Sequence, residues 1–131
     1  MIGLDTNVLV RYVTGDDAAQ SAAAVRIMHS LASDHQGFVS LLVMAEMVWV
    51  FESAYGFEKK EILQVLETLL QSKELVIESS EIVWQSLRCF AGSNADFANC
   101  LIERSGHAAG CEHTLTFDKT AASGAGMRLL K

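Results

Sequence analysis

The chain has 131 residues, half of them apolar, which is enough for one ordinary domain with its own core and too little for two. Ten Lys and Arg against sixteen Asp and Glu give a formal charge of −6, which opposes tight electrostatic wrapping of a long nucleic acid but leaves room for brief contact at a metal site. No segment approaches the roughly 18 to 20 apolar residues of a membrane span, and the start lacks the basic n-region of a signal peptide, so a cytoplasmic protein is expected.

Read in chain order, short apolar runs alternate with helical patterns. Ile2-Gly3-Leu4 reads as a strand, and Asp5-Thr6-Asn7 as helix-capping types before Val8 to Val13. Gly15-Asp16-Asp17 breaks that helix and caps an Ala-rich one from Ala18 to about Ala32. After the turn Asp34 to Gly37 comes a strand, Phe38-Val39-Ser40, then a helix from Leu41 that is apolar throughout except at Glu46 and ends at Tyr55-Gly56. Glu46 is therefore expected inside or at the edge of the buried face, where a carboxylate needs a partner. One partner considered is Arg11.

From Glu58 to Gln71, Ile62, Val65, Leu66, Leu69 and Leu70 form the apolar stripe of an amphipathic helix, with Lys59, Lys60, Glu61, Gln64 and Glu67 opposite. Leu75-Val76-Ile77 reads as a strand, Ser80 to about Ala91 as a helix, and Asp96 to about Ala109 as another, closed by Gly110. Thr114 to Phe117 is the next strand, with Asp118 at its end, and Met127 to Leu130 a last edge strand. There is no proline, where average usage of about 5% would give roughly six, so turns rest on Gly, Asn, Asp and Ser. This alternation indicates an α/β fold, one domain over 1–131 with a mostly parallel central sheet flanked by helices. Ligands in such sheets collect beyond the carboxyl ends of the strands, where Asp5 and Asp118 fall.

Asp5, Glu46, Asp96 and Asp118 each stand where an apolar segment ends or is interrupted, a pattern that suggests one acidic metal site. Each also has a structural explanation. Asp5 fits a helix cap, Asp96 the third helical residue after a Ser93 cap, Asp118 a turn, and Glu46 a pair with Arg11. Cys89, Cys100 and Cys111 form no C-x-x-C pair, which argues against a disulfide framework or a zinc knuckle and favours small core residues. His29, His35, His107 and His113 fit no zinc-protease pattern, and Gly124-Ala125-Gly126 is no nucleotide loop.

Leu4 to Leu9, Ala45-Glu46, Ala95-Asp96-Phe97-Ala98-Asn99-Cys100-Leu101-Ile102, Ala109-Gly110-Cys111 and Thr114 to Asp118 together resemble a PIN domain, most closely the VapC-type toxins of bacterial toxin–antitoxin pairs. The resemblance covers nearly the whole chain. It implies an Mg²⁺- or Mn²⁺-dependent endoribonuclease, a homodimer held inactive by a cognate VapB-like antitoxin, with RNA such as tRNA as substrate. Carried over by position, Asp5, Glu46 and Asp118 match family acids. The family's late helix opens D-F-A-D, whereas this chain has Asp96-Phe97-Ala98-Asn99, an amide where relatives carry the second acid. The implied metal set is Asp5, Asp96, Asn99 and Asp118, with Glu46 a ligand or water-positioning group and Thr6, Asn7 and Thr116 as hydrogen-bonding support. Hard divalent ions suit such oxygen donors.

Asn99 implies weakened metal binding and slower cleavage, or else a PIN-like domain that only binds protein. A haloacid-dehalogenase-type phosphatase needs a second Asp where Asn7 stands, and a receiver domain lacks its early acidic pair here. The helix from Glu58 to Gln71 packs on the core or, with Trp49, Phe51 or Tyr55, forms a dimer or antitoxin interface. Arg11, Lys59, Lys60, Arg104 and Lys119 are the candidate phosphate contacts.

Overall fold

Short β-branched and apolar runs can form a sheet only if long-range pairing supports them, and here it does. In the computed structural model, which describes residues 1–131, β1 (Ile2–Gly3), β2 (Gly37–Val39) and β3 (Leu75–Ile77) pair in parallel in the order β1-β2-β3. Between them run α1 (Thr6–Thr14) and α2 (Ala18–Ser30), then α3 (Leu41–Ser53) and α4 (Lys59–Gln71). These belong to one compact unit, Met1–Glu78. The second unit, Ser79–Lys131, holds α5 (Ser80–Gly92), α6 (Phe97–Ala108), β4 (Leu115–Thr116), α7 (Lys119–Gly124) and β5 (Arg128–Leu129). β4 and β5 also pair in parallel, so each of the two sheets is a parallel one.

In the first unit, two-helix crossovers return the chain to each parallel neighbour, as such pairing requires. Leu4, Leu9, Val39, Met44, Met47, Phe51, Ile62, Leu66 and Ile77 make the core. α4 buries Ile62, Leu66 and Leu69, the stripe expected from its period, and its start is closed by the Glu61 carboxylate accepting from the Glu58 N–H at 3.0 Å. Gly37 sits in the middle strand where a side chain would meet Leu4 at 2.7 Å, Leu31 at 3.0 Å and Leu75 at 3.2 Å.

α3 corrects an expectation. Although apolar almost throughout, it buries only Met44, Met47, Val48 and Phe51, and leaves Leu42 and Trp49 exposed at 78% and 67%. Glu46 lies on the same outward stripe at i+4 and i−3, so it is exposed rather than buried. Phe51 is fully buried and stacks on Phe57 at 4.8 Å, which removes it from any docking surface. Tyr55 is half-buried.

In the second unit α5 packs closely on α6, with Phe90 and Phe97 edge to face at 5.9 Å. α6 starts one residue later than expected: Asp96 is its cap rather than its third residue, and Ser93 closes α5 instead. Gly110, at φ 93°, takes the left-handed turn after the last residues of α6. α7 was not expected, because six residues rich in Ala, Ser and Thr carry no apolar period. Of the cysteines, Cys100 is buried, Cys89 half-buried and Cys111 exposed, so Cys111 is not a core residue. No helix is long and apolar enough to cross a membrane.

Candidate active site

Three of the four acids do the same local job. Asp5 caps α1, with Oδ1 accepting from the Thr6 N–H at 2.8 Å. Asp96 caps α6, with Oδ1 accepting from the Asn99 N–H at 2.7 Å. Asp118 caps α7, with Oδ1 accepting from Thr120 and Ala121 at 2.8 and 3.1 Å. In each, Oδ2 makes no hydrogen bond within the chain. A helix start thus satisfies one carboxyl oxygen with its otherwise unpaired N–H groups and leaves the second without a partner in the chain. All three Asp residues are exposed.

Within the first unit, Asp5 and Glu46 are joined by one residue. Thr6 is 3% exposed; its backbone N–H goes to Asp5, and its hydroxyl donates to Glu46 Oε1. The link sits just beyond the carboxyl end of β1, as Leu4 N–H still bonds Phe38 in the sheet. Glu46 reaches it from the second turn of α3, which Ser40 caps directly after β2, its Oγ accepting from the Val43 N–H at 3.1 Å. Of the two neighbours Thr6 and Asn7, only Thr6 hydrogen-bonds Glu46, while exposed Asn7 lines a groove of about 290 Å³ between α1 and α2.

Glu46 does not pair with Arg11. The guanidinium is held by Asp16 at 3.2 Å, Tyr55 at 2.8 Å and Gln20 at 2.8 Å. Tyr55 in turn donates to the other Asp16 oxygen at 2.6 Å, and Thr14 to the first at 2.8 Å. The Tyr55 hydroxyl above all, then Thr14 and the Arg11 charge, hold the Asp16 carboxyl below its ordinary value of 3.8. Arg104 is likewise committed, to Glu103 at 2.6 Å, which raises the guanidinium's pKa further. Of the five bases considered for phosphate contact, Lys59, Lys60 and Lys119 are the exposed ones.

In the second unit, Thr116 Oγ1 accepts from the Asp118 N–H at 3.0 Å and so fixes the turn from β4 into the cap of α7. Asn99 is half-buried one turn into α6, on the face above Asp96. Neither unit by itself gathers three or more His, Cys, Asp or Glu side chains into one cluster. The donors offered are carboxylate, hydroxyl and amide oxygens alone, with no sulfur or imidazole among them, a set that fits a hard divalent ion.

The PIN domain model matches residues 2–126, through both units. The chain belongs to the PIN domain family. A VapC ribonuclease from Aquifex aeolicus (strain VF5) is similar to it, 22% identical over 116 residues that cover 88% of this chain and 86% of the relative. The PIN match begins at β1 and ends just before β5, so Asp5, Glu46, Asp96 and Asp118 all lie inside it.

The sequence offered Asp5 as a helix cap, but not Asp96 or Asp118, so the role the three share was missed. The signal was present at Asp118, where Thr-Ala-Ala after Lys119 follows a capping residue, and at Asp96, whose side chain competes with Ser93 for the same task.

Proposed function

We propose that this PIN domain, acting over residues 1–131, is a VapC-like toxin nuclease: a divalent-metal-dependent endoribonuclease whose substrate is RNA, with structured RNA such as tRNA the first class to test. The observation that carries this reading is Thr6 joining Asp5 to Glu46 at the carboxyl end of a parallel strand, in a chain that belongs to the PIN family.

Asp5, Asp96 and Asp118 would hold Mg²⁺ or Mn²⁺ through their second carboxyl oxygens, with the Asn99 side-chain oxygen as a neutral fourth donor. A bound divalent ion supplies positive charge at the scissile phosphate and makes water more acidic for attack on phosphorus. Thr6 fixes one oxygen of Glu46, so the other has a defined direction in which to orient water and accept its proton. The caps fix one oxygen of each Asp carboxylate in place before substrate arrives, which is the preorganisation that electrostatic catalysis requires. Exposed Lys60 and Lys119 are available to steer a phosphate backbone. A VapB-like antitoxin and a second copy of the chain are the expected partners, and the cytoplasm the expected location.

Asn99 supports a second reading, a PIN domain that binds protein and does not cut. It removes one negative charge from the donor set, and fewer charged ligands mean weaker metal binding. Incubation of the chain and of Asn99→Asp with total tRNA, with Mg²⁺ or Mn²⁺ and with chelator, separates the two. Metal-dependent cleavage that chelator abolishes supports the nuclease. No cleavage by either chain with either metal supports the protein-binding domain.

A further inference from the structure

Two cysteines far apart in any sequence pattern meet in the second unit. Cys89 on α5 and Cys100 on α6 face each other, the Cys100 thiol donating to Cys89 Sγ at 2.9 Å. A disulfide bond is about 2.0 Å long, so the two sulfurs need to close by only about 1 Å. Neither is in a disulfide. Cys89 is half-buried and its own thiol points to the Gly124 carbonyl at 3.6 Å, whereas Cys100 has no exposure. Cys89 is therefore the partly exposed residue of the pair and Cys100 the enclosed one.

We infer that Cys89 and Cys100 form a redox modification site, at which a small-molecule disulfide of the glutathione class converts the pair to an intramolecular disulfide joining α5 to α6. Cys89, as the thiolate, attacks one sulfur of the oxidant; the oxidant's S–S bond breaks and its first thiolate leaves. Cys100 then attacks Cys89 Sγ in the mixed disulfide and expels the second thiolate, which takes up the proton Cys100 loses. Two protein thiols are oxidised and one small disulfide is reduced to two thiols.

The position matters for the neighbouring residues. Cys100 follows Asn99 directly, and its backbone N–H bonds the Asp96 carbonyl at 3.2 Å. The bond would close a loop containing Asp96 and Asn99 and pin the first turn of α6. The pairing itself stands independently of the nuclease reading.

The test uses the full chain and its Cys111→Ser variant, whose altered side chain is exposed. Each is incubated folded with oxidised glutathione; free thiols are then titrated and a non-reducing digest mapped. The expected result is loss of two of the three thiols in the chain and of both in Cys111→Ser, a Cys89–Cys100 linked peptide, and full recovery with reductant. In Cys89→Ser, Cys100 is expected to stay unmodified, since its sulfur is inaccessible. Retention of both thiols by folded Cys111→Ser, or cross-links only between chains through Cys111, would overturn the proposal.

Discussion

At the scale of single residues, the cap role of the aspartates and their proposed metal role can be separated. Asn caps a helix as well as Asp does, whereas Ala does not. Asp5→Asn, Asp96→Asn and Asp118→Asn should each keep the cap and leave stability within about 0.5 kcal/mol, while the Ala variants lose about 1 kcal/mol each. Thermal melts of the six variants check this. On metal affinity the pattern should differ, with Asn and Ala equally damaging. Thr6→Val removes the hydroxyl that holds Glu46 but keeps the backbone N–H to Asp5. It should lower cleavage about 10- to 100-fold, as loss of a supporting hydrogen bond at a metal site typically does. Thr6→Ser, which retains the hydroxyl, should restore most of the rate. If Thr6→Val cleaves at the parent rate, Glu46 does not depend on Thr6.

Elements carry a second set of consequences, centred on the turn from α1 into α2. Gly15 ends α1 at φ 64°, its N–H bonding the Arg11 carbonyl at 3.0 Å. Gly15→Ala should cost about 1 kcal/mol, because only glycine enters that region without steric penalty. Just beyond it, Asp16 ties Arg11, Thr14 and Tyr55 together. Because its folded pKa is lowered, the carboxylate contributes stability above the ordinary value of 3.8, and that contribution is lost as pH falls below it through the folded value. Tyr55→Phe removes the largest cause of that lowering. The melting-temperature difference between the chain and Tyr55→Phe should therefore be greater at neutral pH than at about pH 3. A difference that grows on acidification would refute the assigned role of Asp16.

The same scale shows what could be read in advance. The strands were legible because their short β-branched runs alternate with helical periods, and α4 because its stripe repeats without a break. α7 was not, since a six-residue helix held by one cap leaves no periodic trace. The exposure of Glu46 was misjudged for a different reason. An apolar sequence says which side chains can be buried, not which face has a neighbour, and α3 turns Leu42, Glu46 and Trp49 outward together. The Cys89–Cys100 contact depends on how α5 and α6 pack, and their spacing of eleven matches no local motif.

For the whole molecule, the PIN match spans all four acids, while their local settings differ between the two units: a Thr-bridged pair in the first, and capped, exposed carboxylates at two helix starts in the second. On the proposed function, the net charge of −6 requires that RNA be drawn by a few bases and a cation rather than by a broad basic face. Asn99→Asp should then raise the metal-dependent cleavage rate at least about tenfold, equivalent to about 1.4 kcal/mol of barrier. An unchanged rate and metal affinity would remove Asn99 from the metal shell. The most direct single measurement is tRNA cleavage in Mn²⁺ by Asn99→Asp with Asp5→Asn or Asp118→Asn added, one acid from each unit. Cleavage by Asn99→Asp that either second change abolishes, with folding intact, is the expected result. Cleavage that survives both changes, or no cleavage and no metal uptake by Asn99→Asp, would contradict a metal-dependent ribonuclease built on these acids.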